Sequence, residues 1–151
     1  MTMTTRKRRE RGQALVEFSL ILIPFLWILM GVVDLGRGIY MYNGVNQAAR
    51  ELARVTSVHL CGTSGACTVG TSAETAAVAG TQAKLVPGLG GPGSTVAYAC
   101  TTVTDAALPS INCPSGQYVK VTVSVPFSAV TPFLGGFLPS SLSSTTHVQV
   151  P

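Results

Sequence analysis

From Ala14 to Val33 the chain runs for 20 residues with a single charged side chain, Glu17. At ~1.5 Å per residue that run makes a helix of about 30 Å, which matches the hydrocarbon thickness of a bilayer. The sequence therefore reads as that of a membrane protein. Arg6-Lys7-Arg8-Arg9-Glu10-Arg11 crowds one flank and Asp34 opens the other. The positive-inside bias accordingly predicts a cytoplasmic N-terminus and carries residues 35–151 across the membrane.

A chain of 151 residues has room for one such helix and one small domain, not for two independent cores. Its net charge of +4 raises the question of an anionic partner, and mapping the charge answers it. Five of the ten basic residues and one of the six acids precede Gln13, and beyond that point the formal charges cancel. The excess is a topology signal beside an anionic leaflet. With no second basic patch and no aromatic platform, no nucleic-acid partner is expected.

Cys61, Cys67, Cys100 and Cys113 all lie on the side expected to face away from the cytoplasm, where disulfides persist. Zinc is the competing use of four cysteines, but the spacings C-x5-C and C-x12-C lack the short knuckles that wrap a metal. Two disulfides are favoured. Of the three pairings, Cys61 with Cys67 and Cys100 with Cys113 close the shortest loops. His59 and His147, 88 positions apart, do not suggest a metal site beside paired cysteines.

Residues 1–12 are polar and read as an unstructured basic leader, followed by the span at 13–34, within which Pro24 predicts a mild kink. From Leu35 to Val58 the residues Ile39, Val45, Ala48, Ala49, Leu52, Ala53 and Val55 recur at helical spacing. One helix of about 45 residues, roughly 68 Å long, is expected. Its part beyond the bilayer, residues 35–59, is an amphipathic stalk that needs a surface to pack on.

Residues 60–151 are read as a small α+β domain. Thr71-Ser72-Ala73-Glu74 has the form of a capping box, so a second helix starts there and ends near Val86, before Pro87-Gly88. Strand candidates are Thr95–Thr104, Tyr118–Val125 with its strict alternation of Val119, Val121, Val123 and Val125, and Thr145–Val150. A three- or four-stranded antiparallel sheet stapled by disulfides is expected. Pro126–Leu142, with Phe127, Phe133, Leu134, Phe137 and Leu138, is too long for a tight turn and too apolar for a solvated loop. It is expected to lie on the core, a partner or lipid.

Glu17 needs a reason, because an ionised acid at mid-bilayer costs ~2.5 to 3.5 kcal/mol even on the lenient insertion scales. One reading is a snorkelling acid: Glu17 and Asp34 stand about 26 Å apart along a helix, near opposite interfaces. The other uses Gly12. If the bond Gly12–Gln13 is cut, Gln13 supplies a new ammonium one helical turn before Glu17.

A basic leader ending in Gly, then Gln13-Ala14-Leu15-Val16-Glu17-Phe18 with the acid fifth after the cut and an aromatic next, resembles a type IV prepilin processing site. With Asp34-Leu35-Gly36-Arg37, Asn43, Asn46 and Ala48-Ala49-Arg50-Glu51-Leu52-Ala53-Arg54, residues 11–55 resemble the TadE-like proteins of tight-adherence pilus systems. Val121–Phe127 and Thr131–Gly136 are similar to that family's C-terminal end. The resemblance implies a pseudopilin-like minor component of a pilus assembly or secretion machine, with a role in adhesion and no catalysis. It implies residence in the bacterial cytoplasmic membrane with the domain periplasmic or extracellular. It also implies lipid, other pilin or pseudopilin subunits, assembly proteins and a prepilin peptidase as partners. Gly12, Gln13, Glu17 and Phe18 would form the processing site. An uncut anchor fits residues 1–34 as well.

Asp34 and Arg37, three apart, are placed to form a same-helix ion pair worth tenths of a kcal/mol, or to set subunit register where packed helices leave the bilayer. Arg50 and Arg54 read as a solvated face or as contacts for an acidic partner. Gly31, Gly36, Gly38 and Gly44 allow close helix approach. No Gly-x-Ser-x-Gly, Ser-x-x-Lys or phosphate-loop pattern is present, so no catalytic residue, cofactor or small-molecule substrate is expected. One rival is a secreted protein with residues 1–33 as signal peptide, which the length of the run, Glu17 and the ending Val33-Asp34 disfavour. The other is a membrane-anchored extracytoplasmic binding module that enters no filament.

Overall fold

A computed structural model describes residues 4–60, 68–109, 113–131 and 134–151. The elements run α1 (Thr4–Val58), α2 (Ala73–Leu85), β1 (Thr95–Thr101), β2 (Ala107–Leu108), β3 (Tyr118–Pro126), a 3-10 turn at Leu134–Gly136 and β4 (Ser141–Gln149). The architecture is the expected α+β one, with a long N-terminal helix, a short second helix and a four-stranded antiparallel sheet.

With 55 residues, α1 is about 82 Å long. It begins at Thr4, so most of the basic leader is helical rather than unstructured. Arg, Lys and Glu are good helix formers, and the apolar run supplies the nucleus from which the helix extends backward one bond per residue. Pro24 lies within the unbroken helix.

The helix changes character along its length. Through Val33 its large apolar side chains, among them Leu15, Phe18, Ile21, Trp27 and Val32, are exposed. An 18-residue window reaches a mean hydropathy of 2.3, enough by length and composition to cross a membrane. Farther on, Met41, Val45, Ala48, Ala49, Leu52 and Ala53 form a buried stripe at helical spacing. The surface that this amphipathic half needs is supplied by the rest of the same chain, and α1 packs against α2, β3 and β4. Gly44 brings α1 close to the segment after α2, where an added Cβ would stand 3.4 Å from the Val86 methyls.

Ser72 is the N-cap of α2, one residue after the Thr71 that opens the capping-box pattern, and its Oγ accepts from the Thr75 amide at 3.1 Å. The same Oγ donates to Thr75 Oγ1 at 2.7 Å, and Thr75 Oγ1 is 3.3 Å from Thr56 Oγ1 of α1. All three side chains are buried. This hydroxyl chain satisfies polar groups that burial would otherwise penalise, and it ties the start of α2 to the end of α1.

The sheet order is β2-β1-β3-β4 with every neighbouring pair antiparallel. The alternation in β3 is realised fully: Val119, Val121, Val123 and Val125 are buried against α1, and Lys120, Thr122 and Ser124 turn outward. Cys100 and Cys113 are bonded, with 5.6 Å between their Cα atoms, as the shortest-loop pairing expects. Cys61 and Cys67 lie outside the described residues. β1 stops at Thr101, three residues short of the expected end, and β2 is a two-residue strand that none of the expected strands covers. β4 starts at Ser141, four residues earlier than expected.

β4 is an edge strand. Phe127 N donates to Ser140 O and Val150 N to Gln117 O, so by antiparallel alternation the even-numbered residues of β4 bond β3. Ser141, Ser143, Thr145, His147 and Gln149 direct their backbone groups to an edge with no partner strand among the described residues. Across the outer face, Asp105 in the β1–β2 turn receives Lys120 Nζ at 2.8 Å and stands 3.2 Å from His147 Nε2. The Lys120 hydrogen bond, opposed by partial desolvation and aided by His147, holds the Asp105 carboxyl below its ordinary range.

Two predictions concern stability. Leu52→Ala removes a fully buried side chain from the helix–sheet contact and is expected to cost about 2–5 kcal/mol in denaturant unfolding. Because Asp105 has a lowered folded pKa, its contribution is present above the ordinary carboxylate range and is lost as pH falls through the folded value. Lys120→Met should therefore lower the unfolding midpoint at neutral pH, and the difference from the parent should vanish in strong acid.

Candidate functional site

The residues singled out in sequence fall into three places along α1. Gly12, Gln13, Glu17 and Phe18 are exposed on the first part of the helix. A Cβ at Gly12 would meet nothing within 4 Å. Among the described residues the Glu17 carboxylate has no hydrogen-bond or ion-pair partner, and the site it would form with a new N-terminus at Gln13 is open to a neighbour.

Asp34 and Arg37 are the second place, and here the structure adds what the sequence did not reveal. Asp34, the first residue after the apolar run, is 1% exposed. Its two carboxylate oxygens accept separate amides from the β3–β4 connection, Val130 N at 3.0 Å and Thr131 N at 2.8 Å. An acid facing lipid on a bare helix is thereby satisfied by backbone donors 96 and 97 positions away. Arg37 donates through Nη2 to the carbonyl of Ser128, and its guanidinium lies 5.2 Å from the centroid of the Phe127 ring. Gly38 completes the seat, since its missing Cβ leaves the Phe127 ring at van der Waals contact, 3.5 Å from where that carbon would stand. The expected pairing of Asp34 with Arg37 along the helix is thus secondary, because the two side chains together clamp residues 127–131 of the head to α1. Here the head denotes the sheet, α2 and the half of α1 buried with them.

The third place lies farther along. Arg54 pairs with Glu51, Nη2 to Oε1 at 2.9 Å, and this hydrogen bond holds the Glu51 carboxyl below its ordinary range. With Arg54 largely in solvent, the pair is screened and adds little to stability. Arg50 is exposed beside a groove lined by Tyr40, Gln47, Glu51 and Gln82. Sixteen residues, about 24 Å of helix, separate it from Asp34, so the two arginines and the Asp34–Arg37 clamp form distinct surfaces. Among the described residues no three of His, Cys, Asp and Glu gather as a metal site would require.

Residues 12–54 match the TadE-like protein family. The TadE-like segment begins at Gly12, includes Glu17, Asp34, Arg37 and Arg50, and ends at Arg54, so it takes in the apolar helix, the helix side of the clamp and the buried stripe but none of the sheet. No curated protein and no solved structure matches the chain.

The clamp partners Phe127, Ser128, Val130 and Thr131 were not singled out in sequence as partners of Asp34 and Arg37. The one available signal was the apolar, charge-free run from Pro126, which marks a buried or covered segment without saying which helix residues it meets. Asp34→Asn keeps the shape of the side chain but turns one acceptor into a donor facing an amide. It is expected to speed hydrogen exchange at Val130 and Thr131 roughly tenfold or more, with the sheet amides little changed. Equal exchange in both proteins would show that the clamp does not hold the loop.

Proposed function

We propose that this chain is a membrane-anchored, non-enzymatic minor pilin or pseudopilin-like component of a tight-adherence pilus assembly or secretion system. Its N-terminus lies in the cytoplasm and its head on the opposite side. The observation that carries this reading is the TadE-like match over residues 12–54, which coincides with the apolar helix and its buried continuation. A helix apolar all round up to Val33 suits lateral packing in lipid, and a head built onto the same helix is displayed at a fixed distance from the membrane. Other pilin or pseudopilin subunits and assembly proteins are the partners this arrangement serves.

Gly12 presents a side-chain-free bond on an exposed helical segment, within reach of a membrane aspartyl peptidase at the cytoplasmic face. Cutting there would leave the Gln13 ammonium one turn from Glu17, on this chain or a neighbour, and a carboxylate in lipid favours whichever cation satisfies it. The exposed Arg50, next to the Glu51–Arg54 pair, offers a second contact surface in such an assembly.

The test is N-terminal and intact-mass analysis of the protein from native membranes, beside a Gly12→Ala variant. Because nothing lies within 4 Å of the added methyl, the substitution leaves the helix undisturbed and probes recognition of the bond alone. The expected outcome is a mature start at Gln13 that the variant abolishes. A start at Met1 or Thr2 in the parent would overturn the processing step and leave an uncut anchor.

A further inference from the structure

The clamp fixes the height of one part of the head relative to the bilayer. If Ala14–Val33 fills the ~30 Å of hydrocarbon, Asp34 stands at its border. The connection between β3 and β4 is bound at that level by Asp34 to Val130 and Thr131, by Arg37 to Ser128 and by Gly38 to Phe127. Leu138 and Pro139, farther along the same connection, share an apolar groove of about 240 Å³ with Asp34, Leu35, Gly38 and Ile39. Phe137 is therefore held beside the same turn of α1.

What this level exposes is apolar. Val130 is 60% exposed and Phe137 78%, and Leu35 and Ile39 on the helix are exposed as well. Tyr40 and Tyr42, also exposed, stand about 9 and 12 Å above Asp34, where aromatic residues mark the edge of the polar headgroup layer. From Val121 to Pro151 the sequence contains no Asp, Glu, Lys or Arg, so the connection itself would carry no such charged side chain into the interface. We propose that the described parts of the β3–β4 connection, residues 127–131 and 135–140, form a second membrane contact, with Val130 and Phe137 in the leaflet from which α1 emerges. The membrane-proximal end of the head then rests on the bilayer instead of standing clear of it. This inference rests on the reading of α1 as a membrane span. Lipid is the occupant because the clamp sets these side chains at the hydrocarbon border whatever other proteins are present.

Trp27, the only tryptophan, supplies an internal control. The full chain is reconstituted in phosphatidylcholine–phosphatidylglycerol vesicles containing lipid brominated on the acyl chain near the headgroup. The parent reports the helix through Trp27, and the double variant Trp27→Phe, Phe137→Trp reports the connection through an indole at an exposed position. Quenching of both, about twofold or more for the indole at position 137, is expected for side chains seated at the headgroup–acyl boundary. Quenching of Trp27 alone would overturn the second contact and leave the span intact. A blue-shifted but unquenched indole at position 137 would also overturn it, assigning that surface to a protein. Failure to quench either would remove the membrane span and this inference with it.

Discussion

One helix has to satisfy two solvents. Up to Val33 α1 turns apolar side chains in every direction, as lipid demands, and from Met41 it presents a narrow stripe to a protein core while its opposite face stays wet. No loop intervenes to absorb the change, so the sheet and α2 pack on the same rod that carries the membrane-length apolar segment. The small residues of the stripe, Ala48, Ala49 and Ala53, let the sheet approach closely, and Val119, Val121, Val123 and Val125 fill the space they leave. The head has no separate core that could fold and then be hung on the helix.

Asp34 stands at the boundary between these regimes. A carboxylate there would be poorly solvated on a bare helix, and the two amides of Val130 and Thr131 replace the water it gives up. The arrangement links two needs, because a loop with unpaired backbone donors and an acid at a membrane border each relieve the other. Arg37 and Gly38 then orient Phe127, whose ring bridges the clamp to the core. The same contacts that satisfy buried polar groups thereby decide where the apolar residues of the β3–β4 connection come to rest.

Much of this fold is legible from periodicity. The helical spacing of Val45, Ala48, Leu52 and Ala53, the strict alternation of β3, and the Ser before α2 each reflect a local rule that tertiary context did not override. The Cys100–Cys113 bond was legible from loop length. Local rules failed where the deciding neighbour was remote. The basic leader is helical from Thr4 onward because an apolar helix follows it. β2 is too short to carry a pattern of its own and exists because β1 offers it an edge. Asp34 and Arg37 lie three apart and invite a same-helix pairing, yet their principal partners are backbone groups more than 90 positions away. The TadE-like pattern was readable because it is written in contiguous residues of one helix.

The edge of β4, unpaired among the described residues, acquires a different meaning once α1 is considered with it. Nine residues without Asp, Glu, Lys, Arg or proline would ordinarily invite two copies to join edge to edge. Such a pair is related by a two-fold axis normal to the sheet. Since α1 lies flat on that sheet, the operation reverses the helix and points the two apolar segments in opposite directions. Two chains held by the same bilayer cannot meet that requirement. Anchorage thus protects an edge that carries no bulge or lysine of its own, and the symmetric self-association open to a detached head is geometrically forbidden to the anchored one.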